Sequence, residues 1–404
     1  MPTNGTTLNG SSSSDKDVYI VSAVRTPIGA FNGSLSTLKA TELASIAIKK
    51  ALEKIDLAPE NVEKVIVGQA IQANSGQAAA KQALMGAGLP STCRDCLINE
   101  VCASGMQSII SGVLQIKFGA NVLVAAGMES MTNVPKYPPN KPPMHGEYKV
   151  VDGVVVDGLT DSFNRCHMGD CAEYTAKKYG ITRDDQDKYA IESYKRAIKA
   201  TKAGLLAREI CAVEIPGKKG KPPVVLGEDE ELQRFDESKF ATLSPCFDRS
   251  GEGTITAANA SSLSDGAAAC VLMSSESVQK YGVKPLAKIV SFGEGACDPK
   301  DFATSPVDAI KQALHRAGLK KDDISLWEIN EAFSVVALAN MKDLGLQHDK
   351  VNVNGGGVSI GHPLGMSGTR IVNALAHQLE PGQYGCAAIC RGGGGSAAMI
   401  IKKI

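Results

Sequence analysis

The 404-residue sequence is poor in aromatic side chains and has no surplus of charge of either sign. Phe, Trp and Tyr make up 5% of the chain, and 43 Lys and Arg balance 43 Asp and Glu. A protein that binds nucleic acid needs a basic surplus to neutralise phosphates, so the balance argues against that class. No apolar run reaches the roughly 18 to 20 residues that cross a bilayer, which argues against a membrane protein.

The cysteines lack the pattern of a disulfide framework or of a structural zinc site. There are eleven of them, scattered through a long chain, whereas disulfide frameworks belong to short secreted chains. Cys93 and Cys96 form a lone C-x-x-C pair, and a zinc site needs a second ligand pair at a similar spacing. We therefore expect free thiols.

The first 17 residues are mostly Ser, Thr, Asn and Gly and contain no Arg. We expect a disordered tail over 1–17, because a mitochondrial transit peptide is Arg-rich and amphipathic. The chain ends in Lys402-Lys403-Ile404, which differs from a Ser-Lys-Leu peroxisomal signal. The sequence therefore predicts a cytoplasmic protein, with a peroxisomal location as the weaker alternative.

Short β-branched runs alternate with helical patterns on both sides of a more polar middle region. The alternation predicts an α/β fold with helices on both faces of a parallel sheet. The middle region begins with a Pro-rich loop at 134–139 and is typical of a surface domain inserted between two α/β units. The predicted strands are 18–24, 64–69, 96–101, 121–126, 286–292, 325–329, 350–353 and 386–390, and the predicted helices are 38–55, 106–118, 306–317 and 368–378.

Cys102 stands at the end of a predicted strand, among small residues and directly before a strongly apolar helix. A helix N-terminus presents unpaired N–H groups and the positive end of the helix dipole. We therefore expect a lowered pKa and a nucleophilic thiolate at Cys102. The alternative is a buried core cysteine, since free Cys is among the most buried residue types.

His362 lies between Gly361 and Pro363, just before another predicted helix. Such a setting holds an imidazole ring in one place better than it packs a core. We interpret His362 as a base that takes the proton from a thiol. The alternative is a satisfied structural histidine.

Cys390 and Asn330 also follow predicted strands. Cys390 is close to four consecutive glycines, whose N–H groups can point at a bound atom without a Cβ in the way. It could act as a second acid or base beside an oxyanion site, although the glycines alone could equally form a tight turn. Asn330 could cap the helix that follows it or orient a water at an oxyanion site.

Four segments together resemble the thiolase family: Asn-Glu-Val-Cys-Ala-Ser-Gly at 99–105, Asn-Glu-Ala-Phe at 330–333, Gly-His-Pro at 361–363 and Cys-x-Gly-Gly-Gly at 390–394. Their order and separations are specific, and the resemblance covers nearly the whole chain from about Val18. It implies the thiolase fold, a layered α/β architecture of two related βαβαβαββ halves with an inserted loop domain. The implied boundaries are 18–131 with 262–283 for the N-terminal half, 132–261 for the inserted domain and 284–404 for the C-terminal half.

The resemblance also implies a reversible Claisen condensation of two acetyl-CoA molecules to acetoacetyl-CoA and CoA, as the first step of the mevalonate pathway. Cys102 would carry the acetyl group, His362 would deprotonate it, and Cys390 would take the α-proton of the second acetyl-CoA. Asn330, through a water, would stabilise the enolate oxygen together with His362. The N–H groups of Cys102 and Gly392 would stabilise the tetrahedral intermediate. The alternative is a degradative 3-ketoacyl-CoA thiolase.

Further residues resemble the acyl and CoA sites of the family. His167 and Met168 are similar to the short-chain biosynthetic branch, where the Met side chain crowds the acyl pocket, although Met is also a common core filler. The resemblance implies CoA or substrate contacts for Tyr194, Arg234, Phe235, Asp236, Lys239, Ala257, Ser261, Ala332 and Phe333.

No cofactor is required by the resemblance, with CoA itself as substrate and product, but a potassium ion is a hypothesis. In mitochondrial relatives such an ion lies near the positions of Tyr194, Ala257, Ala258, Ala260 and Val358, held largely by backbone oxygens. The resemblance also suggests a homotetramer with contacts at 135–146. Arg391 occupies a variable position, where it could lower the pKa of Cys390 or point to solvent.

Overall fold

The computed structural model describes residues 16–217 and 222–404, so residues 1–15 of the expected tail lie outside the described part. The strands are β1 Val18–Arg25, β2 Gly29–Ala30, β3 Lys64–Gly68, β4 Arg94–Ile98, β5 Val122–Ser130, β6 Lys136–Tyr137, β7 Val151–Asp152, β8 Thr160–Asp161, β9 Cys166–His167, β10 Val213–Ile215, β11 Val224–Leu226, β12 Ser264–Ser274, β13 Ala287–Ala296, β14 Ile324–Ile329, β15 Tyr384–Arg391 and β16 Gly395–Lys403. The helices are α1 Ala40–Glu53, α2 Ala79–Gly86, α3 Ser104–Lys117, α4 Met168–Tyr179, α5 Arg183–Lys202, α6 Ser275–Tyr281, α7 Pro306–Ala317, α8 Ser334–Leu344, α9 Gly357–Ile360 and α10 Leu364–Gln378.

A ten-stranded mixed sheet forms the centre of the fold, in the order β14-β15-β16-β13-β1-β12-β5-β3-β4, with β2 paired to β12. The β3–β4, β3–β5 and β14–β15 pairs are parallel, and the other neighbours are antiparallel. The expectation of a parallel sheet was therefore wrong for most of it. Strands joined by a short turn must run antiparallel, and only three residues separate β15 from β16.

The helices α3 and α10 lie between strands from the N-terminal part of the chain, such as β5, and strands from the C-terminal part, such as β16. In α3, Met106, Ile109 and Ile116 are fully buried. They belong to the same core cluster as Leu123 of β5 and Met399 of β16, so strands contact α3 from both sides. On the outer faces, α1 and α2 pack on the strands of the N-terminal half, and α7 packs on β13 and β16. The result is a layered arrangement of helices and sheet.

Glycines allow α3 and α10 to touch through their backbones. A Cβ on Gly105 would lie 2.7 Å from both the carbonyl oxygen of Gly365 and the Oγ1 of Thr369, and one on Gly368 would collide with the backbone of Met106. The Thr369 hydroxyl donates a 2.9 Å hydrogen bond to the Gly105 carbonyl. The contact therefore brings the N-terminal ends of both helices to one place in the molecule.

Several predicted elements differ from the structure at their ends. The predicted strand 350–353 is wrong, because Asn352 has a φ of 49° and only Val351 makes an isolated bridge. The strand predicted at 96–101 is β4, which ends at Ile98, because Val101 has a φ of 50°. The helix predicted from Gly368 is α10, which begins four residues earlier at Leu364. The other predicted elements overlap those observed.

The middle region carries short hairpins and the helices α4 and α5, after which β12 returns to pair with β1 and β5. The domain boundaries proposed from the sequence, at 132, 262 and 284, stay predictions. None of the helices in 16–217 and 222–404 combines the length and the apolar character needed to cross a bilayer.

Replacing Gly368 with Ala tests the backbone contact between α3 and α10. An exposed helical Gly→Ala change usually stabilises by up to about 1 kcal/mol. Here the collision with Met106 outweighs that gain, and we expect a net loss of about 1–3 kcal/mol in the free energy of unfolding. Thermal denaturation measures it, with Gly227→Ala as the control, because a Cβ there meets nothing within 4 Å. A Gly368→Ala protein as stable as this control contradicts the contact.

Candidate active site

A cavity of about 320 Å³ opens beside the N-terminal ends of α3 and α10. Cys102 and His362, which precede these two helices, both line it, together with the backbone of Gly392. The remaining wall is largely apolar, which keeps water away from polar groups that face inward. Of the residues predicted to bind substrate, the structure places these on the wall: His167, Met168, Ser261, Ala332 and Phe333.

Cys102 is held by a tight turn between β4 and α3. The preceding residue, Val101, has a φ of 50°, a costly conformation for a β-branched side chain that persists only where its surroundings enforce it. The Ser104 hydroxyl enforces it here by donating to the Val101 carbonyl at 2.6 Å and accepting from the Glu100 N–H at 2.9 Å. The turn directs Cys102 into the cavity.

The resting form of Cys102 is the thiol, contrary to the thiolate expected from the sequence. Burial raises the pKa of Cys102 to about 12, against the opposing effect of the Gly392 N–H, which donates to the sulfur. The helix N-terminus does favour the thiolate, but desolvation by the surrounding wall has the larger effect on the pKa of Cys102. Cys102 therefore needs a base to become a nucleophile.

The hydrogen bonds of His362 define which ring nitrogen carries the proton. Nδ1 lies 2.6 Å from the Ser367 Oγ, and that hydroxyl donates to the Pro363 carbonyl at 3.0 Å, so it must accept from Nδ1–H. Nε2 is then the basic nitrogen, and the Asn330 amide nitrogen lies 3.4 Å from it. Burial, followed by the positive charge of Arg370, lowers the pKa of His362 to about 3. A neutral imidazole with an unprotonated Nε2 suits a proton acceptor.

Cys390 lies at the end of β15, directly behind the cavity wall. It is 1% exposed and packs in one cluster with Met168, Ala332 and Phe333, all of which line the cavity. Burial raises the pKa of Cys390 well above its ordinary value, and charge on Cys102 raises it further. The two thiols therefore influence each other electrostatically.

Asn330 follows β14 and is fully buried. The next helix, α8, has Phe333 rather than Asn330 at its N-cap position, so the capping interpretation is wrong. The amide Nδ2 faces His362, and among the described residues Oδ1 has no hydrogen-bond partner. A buried acceptor without a protein partner fits the expected role of orienting a water.

His167 and Met168 form another part of the cavity wall. The His167 ring stacks on Phe247 with centroids 4.7 Å apart, and its Nδ1 accepts from the Gly169 N–H at 3.0 Å. Met168 is 7% exposed and begins α4. Its side chain therefore takes up space on the cavity wall, and the crowding of an acyl group that the resemblance implies for the short-chain branch stays a prediction.

The remaining residues predicted to contact CoA do not line the cavity. Tyr194 stacks on Phe235 at 4.9 Å between centroids and packs in one cluster with Ala258 and Val358. Ala260 instead lines the cavity, and Ala257 is exposed. Three predicted CoA contacts are engaged in ion pairs: Arg234 lies 3.0 Å from Glu231, and Lys239 lies 3.4 Å from Asp236.

The sequence left two possibilities for Arg391, an effect on the pKa of Cys390 or a side chain that points to solvent, and the structure shows a third. Its Nε lies 2.7 Å from a carboxylate oxygen of Glu100, and its Nη1 donates to the Gly392 carbonyl. The guanidinium thus joins the turn before Cys102 to the glycine turn. Its charge lowers the pKa of Cys102, as a smaller effect than burial.

Two residues that hold the site in place, Ser367 and Glu129, were not predicted from the sequence. Ser367 fixes the tautomer of His362; its position in the first turn of the helix after Gly-His-Pro was the available signal. Glu129, fully buried in β5, accepts hydrogen bonds from the N–H groups of Ala70, Ile71 and Gly365 and so ties the start of α10 to the sheet. Burial raises the pKa of Glu129 to about 8. No local motif marks it.

Comparison with known protein families shows which family the chain belongs to. Residues 18–276 match the thiolase N-terminal domain, and residues 283–403 match the thiolase C-terminal domain. The chain belongs to the thiolase family. It is an acyltransferase of that family and has the thiolase fold.

Named relatives and solved structures resemble this thiolase along nearly its full length. The mitochondrial acetyl-CoA acetyltransferases of Danio rerio and Bos taurus are each 52% identical, over 96% of this chain and 92% of theirs. The Acat5 thiolase from Ascaris suum, solved in complex with coenzyme A, superposes with a TM-score of 0.92 at 46% identity, covering 96% of this chain and 100% of that one. Human mitochondrial 3-ketoacyl-CoA thiolase gives 0.91 at 36% identity, covering 96% and 99%.

The cytoplasmic location expected for this thiolase, with the peroxisomal alternative, is contradicted by these relatives, which are named mitochondrial. The expectation rested on the lack of Arg in residues 1–17 and on the three C-terminal residues. Residues 402–404 do not line the cavity and residues 1–15 lie outside the described part, so the geometry of the site gave no check on the location.

Ser367→Ala tests the tautomer of His362. Without the hydroxyl, Nδ1–H loses its acceptor, and the tautomer that protonates Nε2 becomes accessible and cannot take the proton of Cys102. Loss of one buried hydrogen bond, at about 1.4 kcal/mol, predicts an acylation rate about tenfold lower. Stopped-flow acylation with acetyl-CoA measures this. Ser291→Ala is the control, because that buried hydroxyl donates to the Ala313 carbonyl away from the cavity. Equal rates in both variants contradict the assignment.

Proposed function

We propose that this thiolase is an acetyl-CoA C-acetyltransferase, which joins two acetyl-CoA molecules into acetoacetyl-CoA and CoA and also catalyses the reverse cleavage. The observation that carries the proposal is the pairing of the Cys102 thiol and the neutral His362 on one apolar cavity narrowed by Met168. The names of relatives at 52% identity and the coenzyme A complex of the Ascaris thiolase support it.

In the first half-reaction, Cys102 attacks the thioester carbonyl while its proton passes to His362 Nε2. Both groups are neutral at rest, so the transfer is favourable only as the new C–S bond forms. The N–H groups of Cys102 and Gly392 are the donors available for the oxyanion. The C–S bond to CoA then breaks, the CoA sulfur takes the proton from His362, and Cys102 is left acetylated.

In the second half-reaction, Cys390 first passes its own proton to water and then, as a thiolate, takes the α-proton of a second acetyl-CoA. The enolate carbon attacks the acetyl group on Cys102, the C–S bond to Cys102 breaks, and the Cys102 thiolate takes up a proton from water. Charge on Cys102 raises the pKa of Cys390, and an acetylated Cys102 cannot ionise, so no charge on Cys102 opposes the loss of the Cys390 proton in this half-reaction. In the cleavage direction the protonated form of Cys390 supplies the proton to the departing acetyl carbon. Asn330 and His362 would stabilise the enolate oxygen through a water.

The competing function is a degradative 3-ketoacyl-CoA thiolase acting on longer chains. The fold does not separate the two, because the human 3-ketoacyl-CoA thiolase superposes with a TM-score of 0.91, close to the 0.92 of the Ascaris thiolase. Met168 on the cavity wall favours the short chain, as does the higher identity to the acetyl-CoA acetyltransferases.

Thiolytic cleavage of acetoacetyl-CoA and of a long-chain 3-ketoacyl-CoA, compared in parallel, tests the substrate. We expect a strong preference for acetoacetyl-CoA in kcat/KM. Met168→Ala should shift the ratio toward the long chain by about tenfold or more, since a few methylenes of pocket space are worth that much discrimination. Met341→Ala, a buried methionine in a different core cluster, is the control. Equal or better cleavage of the long chain by the wild type makes the degradative function correct.

We carry the potassium ion forward as part of the proposal, near Tyr194, Ala257, Ala258, Ala260 and Val358. Burial raises the pKa of Tyr194, and the carboxylates of Glu231 and Glu331 raise it further, so the potential at this cluster suits a cation. The ion would hold the adjoining loop against the cavity. Equal cleavage rates in potassium and sodium salts at one ionic strength would remove this part.

A homotetramer and a place in the mevalonate pathway likewise remain proposals. Support for self-association comes from apolar side chains exposed at and just beyond the expected contact at 135–146. These side chains are Met144, Tyr148, Val150, Val151, Val155, Val156 and Phe163. Exposed apolar groups this concentrated are typical of an interface.

A further inference from the structure

Two cysteines outside the catalytic set lie in contact beside the acyl pocket. Cys166 is in β9 and Cys171 in the first turns of α4, and their sulfur atoms are 3.5 Å apart. Between them in sequence stand His167 and Met168, which line the cavity. The pair therefore brackets the segment that limits the acyl group.

The two thiols differ in access to solvent. Cys166 is half-buried, whereas Cys171 is fully buried. Burial and the contact with Cys166 raise the pKa of Cys171 to about 12, so Cys171 stays protonated and inert to reagents in solution. An oxidant meets Cys166 first, and Cys171 is in place to react with whatever forms there.

A metal ion explains the pair less well than a redox function. An oxygen of Asp161 joins the two sulfurs, with all three atoms within 4.8 Å of one another. Among the described residues, however, no fourth His, Cys, Asp or Glu joins the group, and a closed structural zinc site takes four protein ligands. Asp161 also already accepts from the Phe163 N–H at 3.0 Å.

We propose that Cys166 and Cys171 are a modification site, a dithiol that a hydroperoxide oxidises to a disulfide separately from Cys102 and Cys390. The Cys166 sulfur attacks the peroxide O–O bond, giving a sulfenic acid and one water or alcohol. The Cys171 sulfur then attacks the sulfenic sulfur, the S–S bond forms, and the hydroxyl leaves with the Cys171 proton as water. The two sulfurs are oxidised by two electrons in total, and the peroxide is reduced by two.

The disulfide would act on the acyl pocket through geometry. The sulfurs must approach from 3.5 Å to about 2.0 Å, which pulls β9 toward the first turn of α4. Gly169, in that turn, has no room to yield, because a Cβ on it would collide with the Phe247 ring. Met168 is then displaced relative to Cys102, and the KM for acetoacetyl-CoA should rise several-fold.

Peptide mapping tests the linkage directly, because one tryptic peptide, 166–177, contains both cysteines. The whole protein is treated with hydrogen peroxide, its free thiols are alkylated under denaturing conditions, and it is digested. We expect the peptide to carry no alkyl group and to weigh two hydrogen atoms less than the same peptide with two free thiols, and we expect dithiothreitol followed by alkylation to give the doubly alkylated peptide. Peptide 240–249, which carries only the exposed Cys246, reports the general oxidation of surface thiols.

Two results overturn the linkage: doubly alkylated peptide 166–177 at peroxide doses that oxidise Cys246, or sulfinic acid at Cys166 without a disulfide. The KM of the surviving activity tests the effect on the pocket, since oxidation of Cys102 lowers the number of active molecules but not their KM. We expect peroxide treatment to raise the KM for acetoacetyl-CoA in the wild type and not in Cys166→Ser. An unchanged KM in the treated wild type overturns the effect on the pocket.

Discussion

The contact between α3 and α10 is the constraint on which the rest of the site depends. Gly105 and Gly368 let two helix backbones touch in the middle of the molecule, and strands on both sides hold them there. Because Cys102 precedes one helix and His362 precedes the other, the contact places a thiol and an imidazole on one cavity. Two residues 260 positions apart in sequence thus come to line one cavity through a packing requirement of the core.

The same burial determines the protonation states. It keeps Cys102 and Cys390 as thiols and His362 as a neutral imidazole, so the resting site carries little charge. In the proposed mechanism, reactivity depends on proton transfers coupled to bond formation and on fixed N–H donors, which is how an apolar site stabilises charge only when it develops. Ser367, Asn330 and the turn at Val101 would position the groups for those transfers.

Much of the site could be predicted because its chemistry is carried by unusual local sequence. Cys102, His362 and Cys390 each stand among small residues or glycines beside a strand or helix end, and the core helices followed from their apolar patterns. The predicted lowering of the Cys102 pKa was wrong, because the burial of Cys102 depends on residues far away in the sequence and cannot be inferred from its neighbours. The strand predicted at 350–353 does not form, because Asn352 has a positive φ and its side chain hydrogen-bonds to the backbone of Ile329.

The most direct test of the account is acetylation of the wild type, Cys102→Ala and Cys390→Ala by acetyl-CoA, followed by mass spectrometry of tryptic peptide 95–117, which carries Cys102. The account predicts acetyl on this peptide in the wild type and in Cys390→Ala, none in Cys102→Ala, and acetoacetyl-CoA from the wild type alone. Stoichiometric acetylation of Cys102→Ala, or condensation by Cys390→Ala within a few-fold of the wild type, contradicts it.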